Sequence, residues 1–137
     1  MPSDEEIKEK YMEFQTIQQQ LQQLTEHVEQ MNQQAAELEI SINAIKELEK
    51  TPLNNEFLAP LANGIFVKGE LKNNSNLIVN VGSNVTVERT PKEVIELLHK
   101  QRVEVVERTT EAEAIVEQLS AYAMKLYKEV EKHVKEE

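Results

Sequence analysis

The chain has 137 residues, a formal net charge of -10, no cysteine and only six aromatic residues. This length suits one domain, and the missing cysteines exclude both a disulfide framework and thiolate chemistry. No basic stripe for phosphate contacts is present, no apolar run approaches the roughly 20 residues that cross a bilayer, and residues 1–6 do not resemble a signal peptide. We therefore expect a soluble, cytoplasmic protein.

The first segment predicts one long helix from about residue 4 to residue 50. With Ile7 as position a of a heptad, eleven of the twelve a and d positions up to Ile45 are apolar, and Lys10 is the exception. Such a seam is typical of a coiled coil. Nine glutamines between residues 15 and 34 supply a solvated face. A capping box from Ser3 to Glu6 favours a start, and residues 51–52 (Thr-Pro) favour a stop.

The middle segment predicts two β-hairpins. Apolar runs at 57–62 and 65–71 flank residues 63–64 (Asn-Gly), which favour a type I′ turn with positive φ at both central residues. Pro60 cannot donate a ladder hydrogen bond, so its strand is expected at an edge. Runs at 77–81 and 85–89 flank a second turn at 82–84.

The last segment predicts a second long helix. Residues 90–93 (Thr-Pro-Lys-Glu) place a capping Thr, a Pro at the first helical position and a Glu three residues after the cap. Nine of the twelve a and d positions from Ile95 to His133 are apolar. Two helices of similar length around a short middle are expected to form an antiparallel hairpin. Both chain termini would then lie together at one end, which we call the tip.

These elements predict an α+β fold and a single elongated domain over residues 1–137. Its parts are a coiled-coil helix (1–50, net charge -7), the two β-hairpins (51–90, net charge 0) and a second coiled-coil helix (91–137, net charge -3). Two short hairpins cannot bury their apolar faces alone, and open sheet edges invite pairing. We therefore expect the middle segment to join other subunits in an oligomeric hub, a sheet or β-barrel. The residues expected to mediate this assembly (the assembly set) are Phe57, Leu58, Leu61, Ile65, Phe66, Val67, Leu71, Leu77, Ile78, Val79, Val81, Val85 and Val87.

The four remaining aromatic residues collect at the tip. If residue 50 lies near residue 91, Phe14 faces the neighbourhood of Tyr127 and Ile7 that of Val134. Methionine and aromatic side chains suit adaptable apolar contact. The alternative is that the tyrosines only cover the edge of the helical seam. The candidate binding residues (the tip set) are Ile7, Tyr11, Met12, Phe14, Tyr122, Met124, Leu126, Tyr127, Val130 and Val134.

The sequence holds no constellation for catalysis, so we expect no enzyme, no cofactor and no metal. Glu96 and His99 form one Glu-x-x-His pair, but carboxylate-bridged metal bundles need several on neighbouring helices. The three glycines match no phosphate-binding pattern. His133 is expected to be a frayed surface residue.

The layout of helix, two hairpins and helix resembles the alpha-class subunit of prefoldin, a hexameric chaperone. Two segments carry the resemblance: FLAPLANGIFVKG at 57–69 and LIVNVGSNVTVERT at 77–90. In the second, an apolar strand ends in Val-Gly, a tight turn follows, and a valine-rich strand ends in Glu, a basic residue and Thr. The family often has Asp where this chain has Asn80.

The resemblance implies an assembly of two alpha-class and four beta-class subunits around a double β-barrel, with coiled-coil arms open at the tips. It further implies an ATP-independent holdase that binds non-native client polypeptides at the tips and delivers them to a group II chaperonin. The alternative is a structural coiled-coil scaffold that binds one defined partner. An RNA-gripping helical arm would need basic tips, which the acidic first helix lacks.

Overall fold

The computed structural model describes residues 3–136 and contains the predicted elements in the predicted order. They are α1 (Asp4–Lys50), β1 (Glu56–Ala62), β2 (Ile65–Glu70), β3 (Leu77–Gly82), β4 (Val85–Arg89) and α2 (Pro91–Glu136). The predicted long helices and two central β-hairpins are therefore confirmed. The first two residues and the last residue of the predicted second helix, Glu137, lie outside the described residues.

The chain divides into two compact units. One, the helix-pair unit, comprises residues 1–35 and 104–137, and the other, the hairpin unit, comprises residues 36–103. Each of the long helices contributes to both units.

The helix-pair unit is held together by the predicted seam. Its core cluster joins Ile17 of α1 to Ala123 and Leu126 of α2, with half-buried apolar neighbours packed against it. All a and d positions of both helices, in both units, are buried or half-buried. The heptad prediction is thus confirmed for α2 as well, although its seam contains polar residues. One of these, Thr109, is buried and donates its hydroxyl to the carbonyl of Val105 at 2.7 Å.

Side-chain caps define where the helices begin. At α2, the amide of Glu93 donates to Thr90 Oγ1 (3.2 Å) and the amide of Thr90 donates to Glu93 Oε1 (3.4 Å), a reciprocal capping box. At α1, the amide of Glu6 donates to Ser3 Oγ at 3.2 Å. These bonds satisfy amides that have no partner inside the helix.

The hairpin unit contains two separate two-stranded antiparallel sheets, β1–β2 and β3–β4. Each sheet has an irregularity just before its turn: Leu61 is an extra residue between the pairs Pro60–Phe66 and Ala62–Ile65, and Val81 is an extra residue in the matching place of the second sheet. The two hairpins therefore repeat one design. A bulged apolar residue and a two-residue turn end each of them.

The turn at Asn63–Gly64 is not the predicted type I′ turn, because only Gly64 has a positive φ (75°). The other turn has the φ pattern of type I′, with Ser83 at 50° and Asn84 at 62°. Gly82 precedes it at a φ of 120°, and its amide donates to Asn80 Oδ1 at 2.9 Å. This local side-chain bond stabilises the second turn. The type I′ turn is thus in the second hairpin and not at Asn63–Gly64, which the Asn-Gly pattern alone could not show.

Two side-chain contacts stabilise the hairpin unit: one joins the loop between the hairpins to α1, and the other joins α1 to α2. Asn74 Nδ2 donates to the carbonyls of Leu48 (3.2 Å) and Thr51 (3.0 Å), which closes the C-terminal end of α1. Arg102 Nε on α2 lies 3.2 Å from Glu39 Oε2 on α1, an ion pair between helices at a seam position.

Candidate interaction surfaces

The β-hairpins expose most of the predicted assembly set. Four of its members are half-buried within the hairpin unit: Leu71, Leu77, Val79 and Val87. The other nine are exposed by between 46% and 75%: Phe57, Leu58, Leu61, Ile65, Phe66, Val67, Ile78, Val81 and Val85. Such a density of exposed large apolar side chains is unusual for a surface that faces water.

The first hairpin is apolar on both of its faces. Leu58 and Phe66 lie on one face, beside an ion pair between Lys68 Nζ and Glu56 Oε1 at 3.8 Å. Phe57 lies on the other face, and its ring covers Gly69 so closely that an added Cβ would stand 2.8 Å from Phe57 Cζ. A two-stranded sheet with apolar side chains on both faces lacks a core of its own.

Pro60 does not interrupt the hydrogen bonds between β1 and β2. Leu71 donates to the carbonyl of Asn55 (2.9 Å) and accepts from the amide of Asn54 (2.6 Å). Because inward and outward groups alternate along antiparallel strands, the amide position of Pro60 faces the outer edge of β1. Its missing donor therefore breaks no bond within the hairpin, in agreement with the predicted edge position.

The tip set separates into seam residues and surface residues. Ile7 and Leu126 are buried, and Phe14 and Val130 are half-buried, so these four mainly hold the helices together. The other six are exposed by between 40% and 63%: Tyr11, Met12, Tyr122, Met124, Tyr127 and Val134. The prediction placed all ten at a binding surface, whereas the structure leaves only these six open to a partner.

The aromatic residues near the tip have different environments. The rings of Phe14 and Tyr127 lie 5.8 Å apart at an interplanar angle of 40°, so the expected proximity of these residues is confirmed. Tyr122 instead donates its hydroxyl to Glu13 Oε1 at 2.7 Å. This hydrogen bond to a carboxylate raises the pKa of the Tyr122 hydroxyl above its ordinary value.

Two side-chain contacts join the helix ends. Lys10 Nζ lies 2.7 Å from Glu129 Oε2, and this hydrogen bond lowers the pKa of the Glu129 carboxyl below its ordinary value. His133 Nε2 lies 3.0 Å from Asp4 Oδ1, and the His133 side chain is only 16% exposed. The expectation that His133 is a frayed surface residue was therefore wrong, because its seam position d turns the ring toward α1.

Sequence reasoning missed several exposed apolar residues on the helices. These residues occupy heptad positions other than a and d, which is the signal that could have identified them. They are Ile40, Leu97, Val103, Val106 and Ile115, with exposures between 42% and 68%.

The described residues carry no arrangement for metal chemistry or membrane crossing. Among residues 3–136, no group of three or more His, Cys, Asp or Glu side chains could hold a metal ion. Within the same range, no helix is long and apolar enough to span a membrane.

Two long coiled-coil helices flanking two exposed apolar β-hairpins define the fold class of this chain, and comparison with known proteins identifies its family. The family model "Prefoldin subunit" matches residues 5–136. The prefoldin alpha subunit of Methanococcus vannielii is 32% identical over 108 residues, which cover 79% of this chain and 71% of the relative. That of Pyrococcus horikoshii is 33% identical over 100 residues, covering 72% of this chain and 68% of the relative.

Over greater length the likeness persists at lower identity. The prefoldin alpha subunit of Archaeoglobus fulgidus is 24% identical over 130 residues, 95% of both chains. The fold matches a cryo-EM structure of filamentous prefoldin from Methanocaldococcus jannaschii with a TM-score of 0.73 and 18% identity, covering 85% of this chain and 96% of that one. This chain belongs to the prefoldin family, as an alpha-class subunit, and is thus a chaperone subunit.

Proposed function

We propose that this chain is a subunit of an ATP-independent holdase that captures non-native polypeptides at the tip of its helix pair. The observation that carries the proposal is the group of six exposed aromatic, methionine and valine side chains near the ends of α1 and α2. Burial of such surface against an unfolded chain is favourable by about 25 cal/mol per Å² and needs no nucleotide. Methionine and tyrosine adapt to many partners, as a holdase requires.

The assembly set supports a second part of the proposal, that the hairpins join other subunits in a β-barrel hub. Nine exposed apolar side chains and open strand edges would be covered there. The partners proposed are beta-class prefoldin subunits, four for every two alpha-class chains, in the cytoplasm, with a group II chaperonin as the recipient of clients.

Suppression of aggregation tests the holdase. The purified chain, reconstituted with beta-class subunits and without nucleotide, is added to several unrelated denatured proteins while light scattering is recorded. Protection of many of them is expected, since apolar burial is unselective. Protection of one protein alone would favour the scaffold that binds a single defined partner.

Static light scattering tests the assembly. The chain is measured alone and with beta-class subunits, and a rise in mass to that of a hexamer is expected on mixing. A monomer that persists under all conditions would refute the hub. A matched pair of variants, Phe66→Asp in the exposed hairpin and Glu117→Asp on the helix surface, separates loss of the apolar face from a nonspecific effect of substitution.

A further inference from the structure

The tip of the helix pair has two unlike sides. Residues seven apart lie on the same face of a helix. Tyr11 therefore lies on the same face of α1 as Asp4, and Tyr127 on the same face of α2 as Val134. Met124, three residues before Tyr127, is its neighbour on the same face of α2. The contact of Phe14 with Tyr127 places this face of α2 beside α1. We call the surface of Tyr11, Met124, Tyr127 and Val134 the Tyr127 flank.

The opposite side is acidic. Glu6 and Glu13 share a line on α1, and Tyr122, Glu129 and Glu136 share a line on α2. The bond between Tyr122 and Glu13 (2.7 Å) and the ion pair between Lys10 and Glu129 (2.7 Å) place these lines side by side. We call the surface formed by Glu6, Glu13, Tyr122, Glu129 and Glu136 the Tyr122 flank.

The two flanks differ in what they offer to a ligand. On the Tyr127 flank four apolar side chains are exposed by 48% to 63%. The carboxylates beside them are in contact with basic groups, Asp4 with His133 at 3.0 Å and Glu131 with Lys135 at 2.9 Å. On the Tyr122 flank Glu129 is likewise paired, with Lys10 at 2.7 Å, but the flank has one exposed aromatic ring, and its hydroxyl is hydrogen-bonded to the Glu13 carboxylate. An uncharged apolar ligand therefore buries more apolar surface, and removes fewer charged groups from water, on the Tyr127 flank than on the Tyr122 flank.

The length of the Tyr127 flank indicates the size of the ligand. Met124 and Val134 are ten residues apart, so the exposed strip is roughly 15 Å long. An extended chain advances about 3.3 Å per residue, which matches a segment of four to five residues.

We propose that the Tyr127 flank alone captures the client, and that its ligand is a short, uncharged apolar segment of a non-native polypeptide in extended conformation. This inference rests on the proposed holdase function and restricts it to one side of the tip. The Tyr122 flank faces away from the bound segment, so Tyr122, although one of the six exposed tip residues, takes no part in capture.

The first test compares one tyrosine on each flank in the full chain assembled with its partner subunits. Tyr127→Gln and Tyr122→Gln are matched in side chain and are similarly exposed, at 50% and 40%. The probe is a fluorescent peptide of five apolar residues, and its binding is followed by anisotropy. Tyr127→Gln is expected to weaken binding roughly tenfold, the usual cost of losing an aromatic anchor, whereas Tyr122→Gln leaves it unchanged.

Because Tyr127 also packs on Phe14, a second comparison avoids the seam. The double variant Met124→Gln, Val134→Gln changes two exposed side chains of the Tyr127 flank, and Thr16→Gln changes an exposed residue that lies on neither flank and outside the tip set. Circular dichroism confirms that each variant keeps its helix content. Loss of binding in the double variant alone supports the inference.

A third measurement locates the ligand directly. The chain has no cysteine, so Glu131→Cys, beside the Tyr127 flank, and Glu129→Cys, on the Tyr122 flank, each introduce one unique site for a photoreactive label. Crosslinks to the peptide are expected from position 131 and not from position 129. Lysines added outside the five apolar residues of the peptide, or a higher salt concentration, should change the affinity less than twofold, because the binding surface is apolar.

The outcomes separate this inference from the function on which it rests. Equal loss in the variants of both flanks, or a preference for the lysine-bearing peptide that salt removes, would overturn the Tyr127 flank but leave capture at the tip intact. Capture that persists when residues 1–14 and 124–137 are removed would overturn both. A change in the mass of the client-free complex on Tyr127→Gln would make this flank an interface between subunits and refute the inference.

Discussion

Thr90 and Glu93 show how much of this protein is decided by single residues. Their reciprocal hydrogen bonds begin α2 directly after β4, so that the chain passes from strand to helix without an intervening loop. The hydroxyl of Thr90 also donates to Glu93 Oε1 at 3.0 Å, which keeps the carboxylate in place.

We expect Thr90→Ala to lower the free energy of unfolding by about 1 kcal/mol, since it leaves the first amides of α2 without a side-chain acceptor. Urea unfolding followed by circular dichroism measures the change. Thr110→Ala is the control. The Thr110 hydroxyl only donates to the carbonyl of Val106 on the exposed face of the same helix, and Ala is the better helix former. An equal loss in both variants would contradict the capping argument.

The ion pair of Lys10 and Glu129 predicts a pH dependence. The pKa of Glu129 is lowered in the folded chain by its hydrogen bond from Lys10, so its stabilising contribution is present above the ordinary carboxyl pKa. That contribution is lost as the pH falls through the lowered folded value. We expect Glu129→Gln to flatten this part of the profile of unfolding midpoint against pH.

The control for this pH profile is Glu5→Gln, which changes the net charge of the chain by the same amount and should preserve the slope. If both variants flatten the profile equally, net charge and not the Lys10 contact causes the acid sensitivity.

At the scale of elements, the first hairpin depends on a close contact between an aromatic ring and a glycine. Phe57 covers Gly69 across the sheet, and a Cβ at Gly69 would stand 2.8 Å and 2.9 Å from two ring carbons. The ring must move if any side chain is added there. This contact packs β1 against β2 on the face of the hairpin that carries Phe57.

We expect Gly69→Ala to destabilise the hairpin in the natural chain and much less in a Phe57→Leu background, where the ring is absent. A double-mutant cycle on the midpoint of thermal unfolding gives the coupling, which for neighbouring residues is about 0.5 to 3 kcal/mol. Gly64→Ala serves as a comparison, because its Cβ would meet nothing within 4 Å and only its φ of 75° is unfavourable. Additive effects of the changes at 57 and 69 would show that the contact is unimportant.

At the scale of the whole molecule, the two units have separate tasks in the proposed function. The hairpin unit would hold the assembly together and the helix-pair unit would hold the client. Because each unit has its own packed residues, a change confined to one is expected to leave the task of the other intact.

Removal of residues 1–14 and 124–137 tests this separation. We expect the shortened chain to assemble with its partners, since residues 36–103 are unchanged, but to protect denatured proteins poorly because the exposed tip residues are gone. Light scattering measures mass and aggregation in the same samples. Loss of assembly with undiminished capture by the remaining species would contradict the division of tasks.

The amino-acid sequence by itself determined the elements of this protein. Heptads in both helices, the caps at Ser3 and Thr90 and the turn residues act over a few positions, so their physical effects can be deduced without knowing the neighbours. The helix boundaries, the four strands and the burial of every seam position follow from them. Even the facing of Phe14 and Tyr127 followed from the lengths of the two helices.

The tertiary structure decided which residues of the predicted tip set remain exposed to solvent. Ile7 and Leu126 share their apolar character with Tyr11 and Met124, yet packing between helices buries the first two and leaves the others exposed. It also brought the His133 ring into contact with Asp4 and the Tyr122 hydroxyl into contact with Glu13. These outcomes depend on the angular position of a side chain relative to a second segment, and no local pattern along one segment contains that angle.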